Sequence, residues 1–207
     1  RSGYAKTQPL EEYREQRRGG QGKAAASVKE EDLIQNLYVL SSHVQILCFT
    51  TKGKVYWLKV YEIPVASRTS KGRPLVNMLN LDDDERVSDI LPVEEFTDKR
   101  FIFMATRKGI TKKTNLSLFE RKWKSGIKAI NLDEDDKLIG TAITDGTNEI
   151  LLASSAGKLI RFKESKVRAM GRTARGVKGL KLKKDQRLIS LNVADPSKTV
   201  LCVSENG

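Results

Sequence analysis

The 207-residue chain is 39% apolar and 31% charged, a balance that supports a packed core and excludes a disordered polypeptide. Its 38 Lys and Arg outnumber 26 Asp and Glu, and the net charge of +12 calls for a polyanionic partner, nucleic acid before an anionic membrane surface. No apolar run approaches the roughly 18 residues of a spanning helix, no basic amphipathic helix stands out and no secretory signal opens the sequence.

In chain order, the dominant feature is a repeat marked by two glycines. Turn glycines fall at Gly3, Gly53, Gly109, Gly157 and Gly207, 48 to 56 residues apart. A β-rich run precedes each turn where the chain is present: 44–50, 101–106, 150–154 and 199–203. Strand, glycine turn, strand is a hairpin pattern. A second glycine follows at Gly22, Gly72, Gly126 and Gly176, and behind it comes an alternating run, clearest at 127–132 and 177–182. A fourth run closes each unit, at 33–40, 87–93, 138–144 and 188–193.

Four short strands in about 50 residues match the period of a propeller blade. The expectation is an all-β, propeller-like domain with units at 1–42, 43–97, 98–147 and 148–197 and the start of another at 198–207. A sandwich, the competing architecture, would not require equivalent units. The chain opens inside one unit and stops inside another, as expected of a piece of a longer protein. Residues 4–15 and 115–122 have helix-like spacing but read as irregular crossings, because they share the phase of Glu62-Ile-Pro64, where proline interrupts regular structure. Cys48 and Cys202 sit in apolar runs as small core residues, so no disulfide and a reducing cytoplasm are expected.

Charge follows the repeat. Acidic residues gather before the fourth run, at 30–32, 82–85 and 133–136. They read as solvated turns rather than a calcium or magnesium site, since the EF-hand spacing is missing. Basic residues gather at the second glycine, with Arg18, Arg68, Lys122 and Arg172 each four residues before it. Arg17, Lys23, Lys71, Arg73, Arg121, Lys124, Lys128, Arg175 and Lys178 lie close by. Repeat geometry would set these loops along one curved edge as a phosphate-binding track for bent duplex DNA. Zinc-finger spacing, RNP aromatics and a recognition helix are all missing, so sequence-independent binding is expected.

One loop is distinctive: Gln16-Arg17-Arg18-Gly19-Gly20-Gln21-Gly22. Its glycines permit close backbone approach to phosphate and its guanidiniums can fork onto phosphate oxygens. The heptapeptide closely resembles the gyrase box of DNA gyrase A C-terminal domains, with Gln21 where the family usually has a basic residue. Gly3-Tyr4, Pro9-Leu10, Tyr13, Arg73-Pro74, residues 161–165 and 167–171 extend the resemblance over essentially the whole chain.

The resemblance implies a β-pinwheel whose blades exchange strands, and a module that wraps duplex DNA chirally for ATP-dependent negative supercoiling. Its partners would be the rest of the gyrase A polypeptide and the gyrase B polypeptide in an A2B2 holoenzyme, in a nucleoid-associated, cytoplasmic setting. The resemblance puts ATP and magnesium use elsewhere in the holoenzyme, with no cofactor in this domain. The alternatives are a topoisomerase IV-like paralogue and a protein-interaction propeller for acidic partners.

A catalytic reading finds little support. His43 is the only histidine and falls in a turn between units, and no P-loop or nucleophile-base motif can be picked out. Trp57, Tyr56 and Trp123 could stack on bases, but Trp57 lies in a strand and reads as packing between blades.

Overall fold

The computed structural model describes residues 3–10, 34–67 and 69–200. Among these there is no α-helix, and thirteen strands carry the fold: β1 (Tyr4–Ala5), β2 (Gln45–Thr50), β3 (Lys54–Lys59), β4 (Arg73–Pro74), β5 (Val87–Val93), β6 (Phe101–Thr106), β7 (Ile110–Asn115), β8 (Ile127–Lys128), β9 (Leu138–Thr144), β10 (Glu149–Ser154), β11 (Leu159–Lys163), β12 (Val177–Lys178) and β13 (Leu188–Val193).

The first strand of each unit is the centre of its sheet. The orders are β5-β2-β3-β8, β12-β7-β6-β9 and β11-β10-β13, all antiparallel, with a two-stranded β1-β4 pair. The short strand behind each second glycine therefore leaves its own unit and pairs with the second strand of the unit before it: β4 with β1, β8 with β3, β12 with β7. This threefold exchange is the pinwheel arrangement, and it rules out the sandwich.

Burial on both faces explains why the first strands are continuously apolar. Along β2, Leu47 and Phe49 join Ile102, Met104, Leu116, Phe119 and Ile130 in one core, while Ile46 and Cys48 join Tyr56, Leu58, Leu75 and Leu79 in another. Along β6, the alternate residues Phe103 and Ala105 face Ile150, Leu152, Leu180 and Leu188. β2 and β6 thus each belong to two cores, one per neighbouring blade. Burial pushes the free Cys48 thiol up to about 12.

Trp57 packs against the first of these cores, and its indole N–H donates to the Phe119 carbonyl in the next unit at 2.8 Å, the inter-blade position its strand context implied. His43 lies exposed in a turn beside the Tyr61 ring.

Two expectations are corrected. Residues 34–40 form no strand and are mostly exposed. In the later units the fourth run pairs with the first strand of its own unit. The acidic turns are not wholly solvated either. Glu85 is 2% exposed and accepts from Thr50 Oγ1, Tyr56 Oη and the Asp82 N–H, while buried Asp136 accepts from the Lys108 N–H. In these two turns the last acid, Glu85 or Asp136, pins the neighbouring hairpin. The 115–122 crossing is irregular as expected, with one 3-10 turn at Leu116–Phe119 capped by Asn115 Oδ1.

Candidate nucleic-acid interface

Which edge of the ring carries the basic loops follows from the sheet order. The fourth strands β5, β9 and β13 approach one another in succession, so they form the inner side of the ring. Asp89 on β5 accepts from the Thr141 N–H and Oγ1 on β9 at 2.7 and 3.0 Å, and Leu191 on β13 closes against Gly140 on β9. The exchanged strands β8 and β12 occupy the opposite edges of their sheets. The second-glycine loops consequently lie on the outer edge.

Each loop is held there by close contact. Gly72, Gly126 and Gly176 all have positive φ, and a Cβ would sit 2.5 Å from the Ala5 carbonyl oxygen at Gly72, 2.7 Å from the Tyr56 ring at Gly126 and 2.5 Å from the Thr111 carbonyl oxygen at Gly176. The loop is thus carried by one blade and seated on the preceding one.

Lys71, Arg73, Lys122, Lys124, Lys128, Arg175 and Lys178 are exposed on these loops and strands, and Arg172 is half-buried. The Lys71 ammonium lies 4.5 Å from the Tyr4 ring centroid, and Lys128 donates to Asn131 Oδ1. Trp123 is about half exposed, with the Arg121 guanidinium 4.6 Å from its ring centroid, which leaves an aromatic face on the same loop as Lys122 and Lys124. Gln16, Arg17, Arg18, Gly19, Gly20, Gln21, Gly22, Lys23 and Arg68 lie outside the described residues.

Arg175 differs from the rest. Its Nε and Nη2 donate to the two carboxylate oxygens of Asp133, and this pairing holds the Asp133 carboxyl below the usual carboxylate range. Asp133 belongs to the acidic turn of the preceding unit, so acidic and basic phases meet here rather than separating onto opposite sides. Elsewhere the acidic turns face the hairpins: Lys52 pairs with Asp84, and Lys54 with Asp82.

Two buried lysines were not foreseen. Lys113 Nζ lies 3.5 Å from Glu164, whose carboxylate also accepts from Thr144 Oγ1 and the Gly146 and Asn148 N–H groups. Lys112 is fully buried and donates to the Ala129 carbonyl at 2.6 Å and to the Arg172 carbonyl. Burial, with the Arg172 charge adding to it, lowers the Lys112 ammonium to about 7. No helix among the described residues is long and apolar enough to cross a membrane, and these residues contain no group of three or more His, Cys, Asp or Glu suited to a metal ion.

A ring of strand-exchanging blades with cationic loops on its outer edge defines a pinwheel-type propeller. The family described as the DNA gyrase C-terminal domain, beta-propeller, matches residues 1–41, 45–94, 100–145 and 148–195. Similar curated proteins include the DNA gyrase A polypeptide of Salmonella typhimurium, 51% identical over 99% of this chain and 23% of that protein. The DNA gyrase A polypeptide of Haemophilus influenzae is 54% identical over 84% of this chain and 20% of that protein.

Among solved structures, a C-terminal domain of DNA topoisomerase IV superposes with a TM-score of 0.80 at 29% identity, covering 94% of this chain and 59% of that one. A DNA gyrase A C-terminal domain superposes at 0.66 with 24% identity, covering 88% and 59%. The chain belongs to the DNA gyrase C-terminal domain family. It spans roughly a fifth of the length of the curated relatives it matches.

Proposed function

We propose that this chain binds duplex DNA by its phosphates along the outer edge of the pinwheel and bends it around successive blades. In an A2B2 holoenzyme of gyrase A and gyrase B polypeptides, the wrapped segment would be delivered for ATP-dependent negative supercoiling, with ATP and magnesium used by other domains and the work done on the nucleoid in the cytoplasm. The observation that carries this reading is the recurrence of cations beside each second glycine, the exposed Lys71, Arg73, Lys122, Lys124 and Lys178 and the half-buried Arg172, on loops seated at one edge. Smooth bending of a 20–30 base-pair site costs of order 1–6 kcal/mol, which spaced phosphate contacts can offset. Gln16 to Gly22, with Arg17 and Arg18, Lys23 beside them and Arg68 would extend the same track.

The test is salt-titrated binding beside a topology assay in the full-length protein. With six to ten phosphates contacted, log affinity falls with log salt at a slope of roughly −5 to −9 and depends little on base sequence. Replacing Arg17 and Arg18 by Ala abolishes negative supercoiling while leaving relaxation and much of the affinity. Supercoiling at the parental rate refutes the role of the box. Salt-independent binding that duplex DNA does not displace from an acidic protein refutes the DNA reading altogether.

A further inference from the structure

The repeat places a lysine three residues beyond the hairpin glycine in two of the four units, Lys6 after Gly3 and Lys112 after Gly109. Both reach out of their own blade. Lys6 Nζ donates to the Ser67 and Ser70 carbonyls at 3.0 and 2.9 Å, in the loop that ends at Gly72. Lys112 Nζ donates to the Arg172 carbonyl in the loop that ends at Gly176, and at 2.6 Å to the Ala129 carbonyl behind Gly126. The same device therefore holds the second-glycine loop of the following blade from beneath. At this phase the other two units carry Tyr56, whose ring lies against Gly126, and Ile160.

Lys112 is the sharper case because it is fully buried and no carboxylate among the described residues pairs with it. A buried ammonium without a counter-ion is costly, and replacing one by an apolar side chain is often neutral or stabilising for a fold. Its two carbonyl partners lie in the outer-edge segments of consecutive blades. We propose that Lys112 is a positioning residue for DNA: it ties the Ala129 and Arg172 backbones together and so sets where the Arg172 side chain meets phosphate. This rests on the DNA-edge reading above.

The charged groups around Lys112 agree with that role. Arg172 is the cation that bears on it, Arg175 is paired with Asp133, and Lys128 on the donated strand is turned to Asn131. Lys178 on β12 is exposed, and the adjacent Lys113 faces Glu164. The residue opposite on β6 is Met104, which is apolar. Phosphate on Arg172 would relieve the repulsion felt at Lys112, so DNA binding favours the ammonium form and weakens as pH rises above about 7.

A double-variant cycle in the full-length protein decides the matter, read as the slope of log duplex-DNA affinity against log salt. Arg172→Ala should make the slope shallower by roughly 0.9. Lys112→Met should produce most of the same change, and the double variant no more than Arg172→Ala alone. Independent addition of the two effects, or an unchanged slope in Lys112→Met, overturns the positioning role. An unchanged slope in Arg172→Ala instead overturns the DNA-edge reading itself.

Should Lys112→Met not fold, Lys112→Arg keeps a charge and donors at all working pH values. Between pH 6.5 and 8.5 the parent should then lose about threefold more affinity than Lys112→Arg, the scale of one screened charge near phosphate. Equal pH profiles overturn the proposal.

Discussion

Replacing Asp133 by Asn should strengthen DNA binding, although it touches no residue expected to meet DNA other than Arg175. Both carboxylate oxygens of Asp133 are engaged by Nε and Nη2 of Arg175, with the side chains 34% and 56% exposed. An exposed pair of this kind adds little to stability. Under the proposed reading its effect falls on the outer edge, where it occupies the guanidinium fork that would otherwise take a phosphate bidentately. Arg175 lowers the Asp133 carboxyl below its ordinary value, so the pair stays ionised at any neutral assay pH. The Asn variant releases one cation, which steepens the salt slope by roughly 0.9; between 50 and 200 mM salt that is about 3.5-fold of additional affinity change. Fluorescence anisotropy on a long duplex over that range measures it. Arg175→Ala in the parent should leave the slope nearly unchanged, and adding it to the Asn variant should return the slope to the parental value. If Asp133→Asn does not change the slope, or if Arg175→Ala alone flattens it by a full contact, the pair does not mask Arg175 and the reasoning is wrong.

Three further outcomes are expected. Glu164→Gln leaves the buried Lys113 ammonium without its counter-ion and turns an amide toward backbone donors, so urea denaturation should report a loss of about 3–5 kcal/mol; a loss below about 1 kcal/mol would contradict the buried tie between blades. Gly176→Ala meets both a φ of 101° and a Cβ 2.5 Å from the Thr111 carbonyl oxygen, and should cost roughly 2–4 kcal/mol, whereas Gly157→Ala, with φ 71° and nothing within 4 Å, should cost about 1. Equal losses at the two glycines would mean that the exchanged strand does not hold the loop. Lys112 has a folded-state value near 7 against an ordinary 10.5, so the unfolded chain binds its proton more readily between these values. Stability relative to Lys112→Met should therefore rise with pH across that window, and denaturation midpoints that run parallel from pH 7 to 10 would count against a buried, titrating ammonium.

Much of the blade was legible because its signals are dense. Residues 101–106 and 150–154 are apolar on both faces, and a hairpin glycine follows each, so length, burial and turn coincide. The run at 33–40 carries a similar pattern yet forms no strand over 34–40. Strand exchange was invisible to pattern. Ile127–Lys128 and Val177–Lys178 are two residues long, too short to carry a periodicity, and only the family resemblance implied that they cross to another blade. The same limit governs the interface. Its cations were evident from composition at one repeat phase, but the Arg175–Asp133 pair and the Lys112–Arg172 contact join residues 42 and 60 positions apart through the register of an exchanged strand. The shared offset of Lys6 and Lys112 from their glycines was the one available clue.

Strand exchange also bears on how DNA contacts are spaced. A basic loop held only by its own blade could shift with every fluctuation of that loop, and phosphate contacts would then be poorly matched to a bent duplex. Here the loop before Gly176 is anchored on the preceding blade four ways: β12 pairs with β7, the Met170 N–H donates to the Lys113 carbonyl, Lys112 holds the Arg172 carbonyl, and the Gly179 N–H donates to the Gly109 carbonyl. The distance from one cationic loop to the next therefore follows blade-to-blade packing, in which β2 and β6 are each buried in two cores. Under the proposed reading, a duplex lying on such an edge would meet cations at intervals set by that packing, so the DNA would take up the curvature. Substitutions that loosen the exchange without removing a single cation should accordingly reduce bending more than they reduce binding.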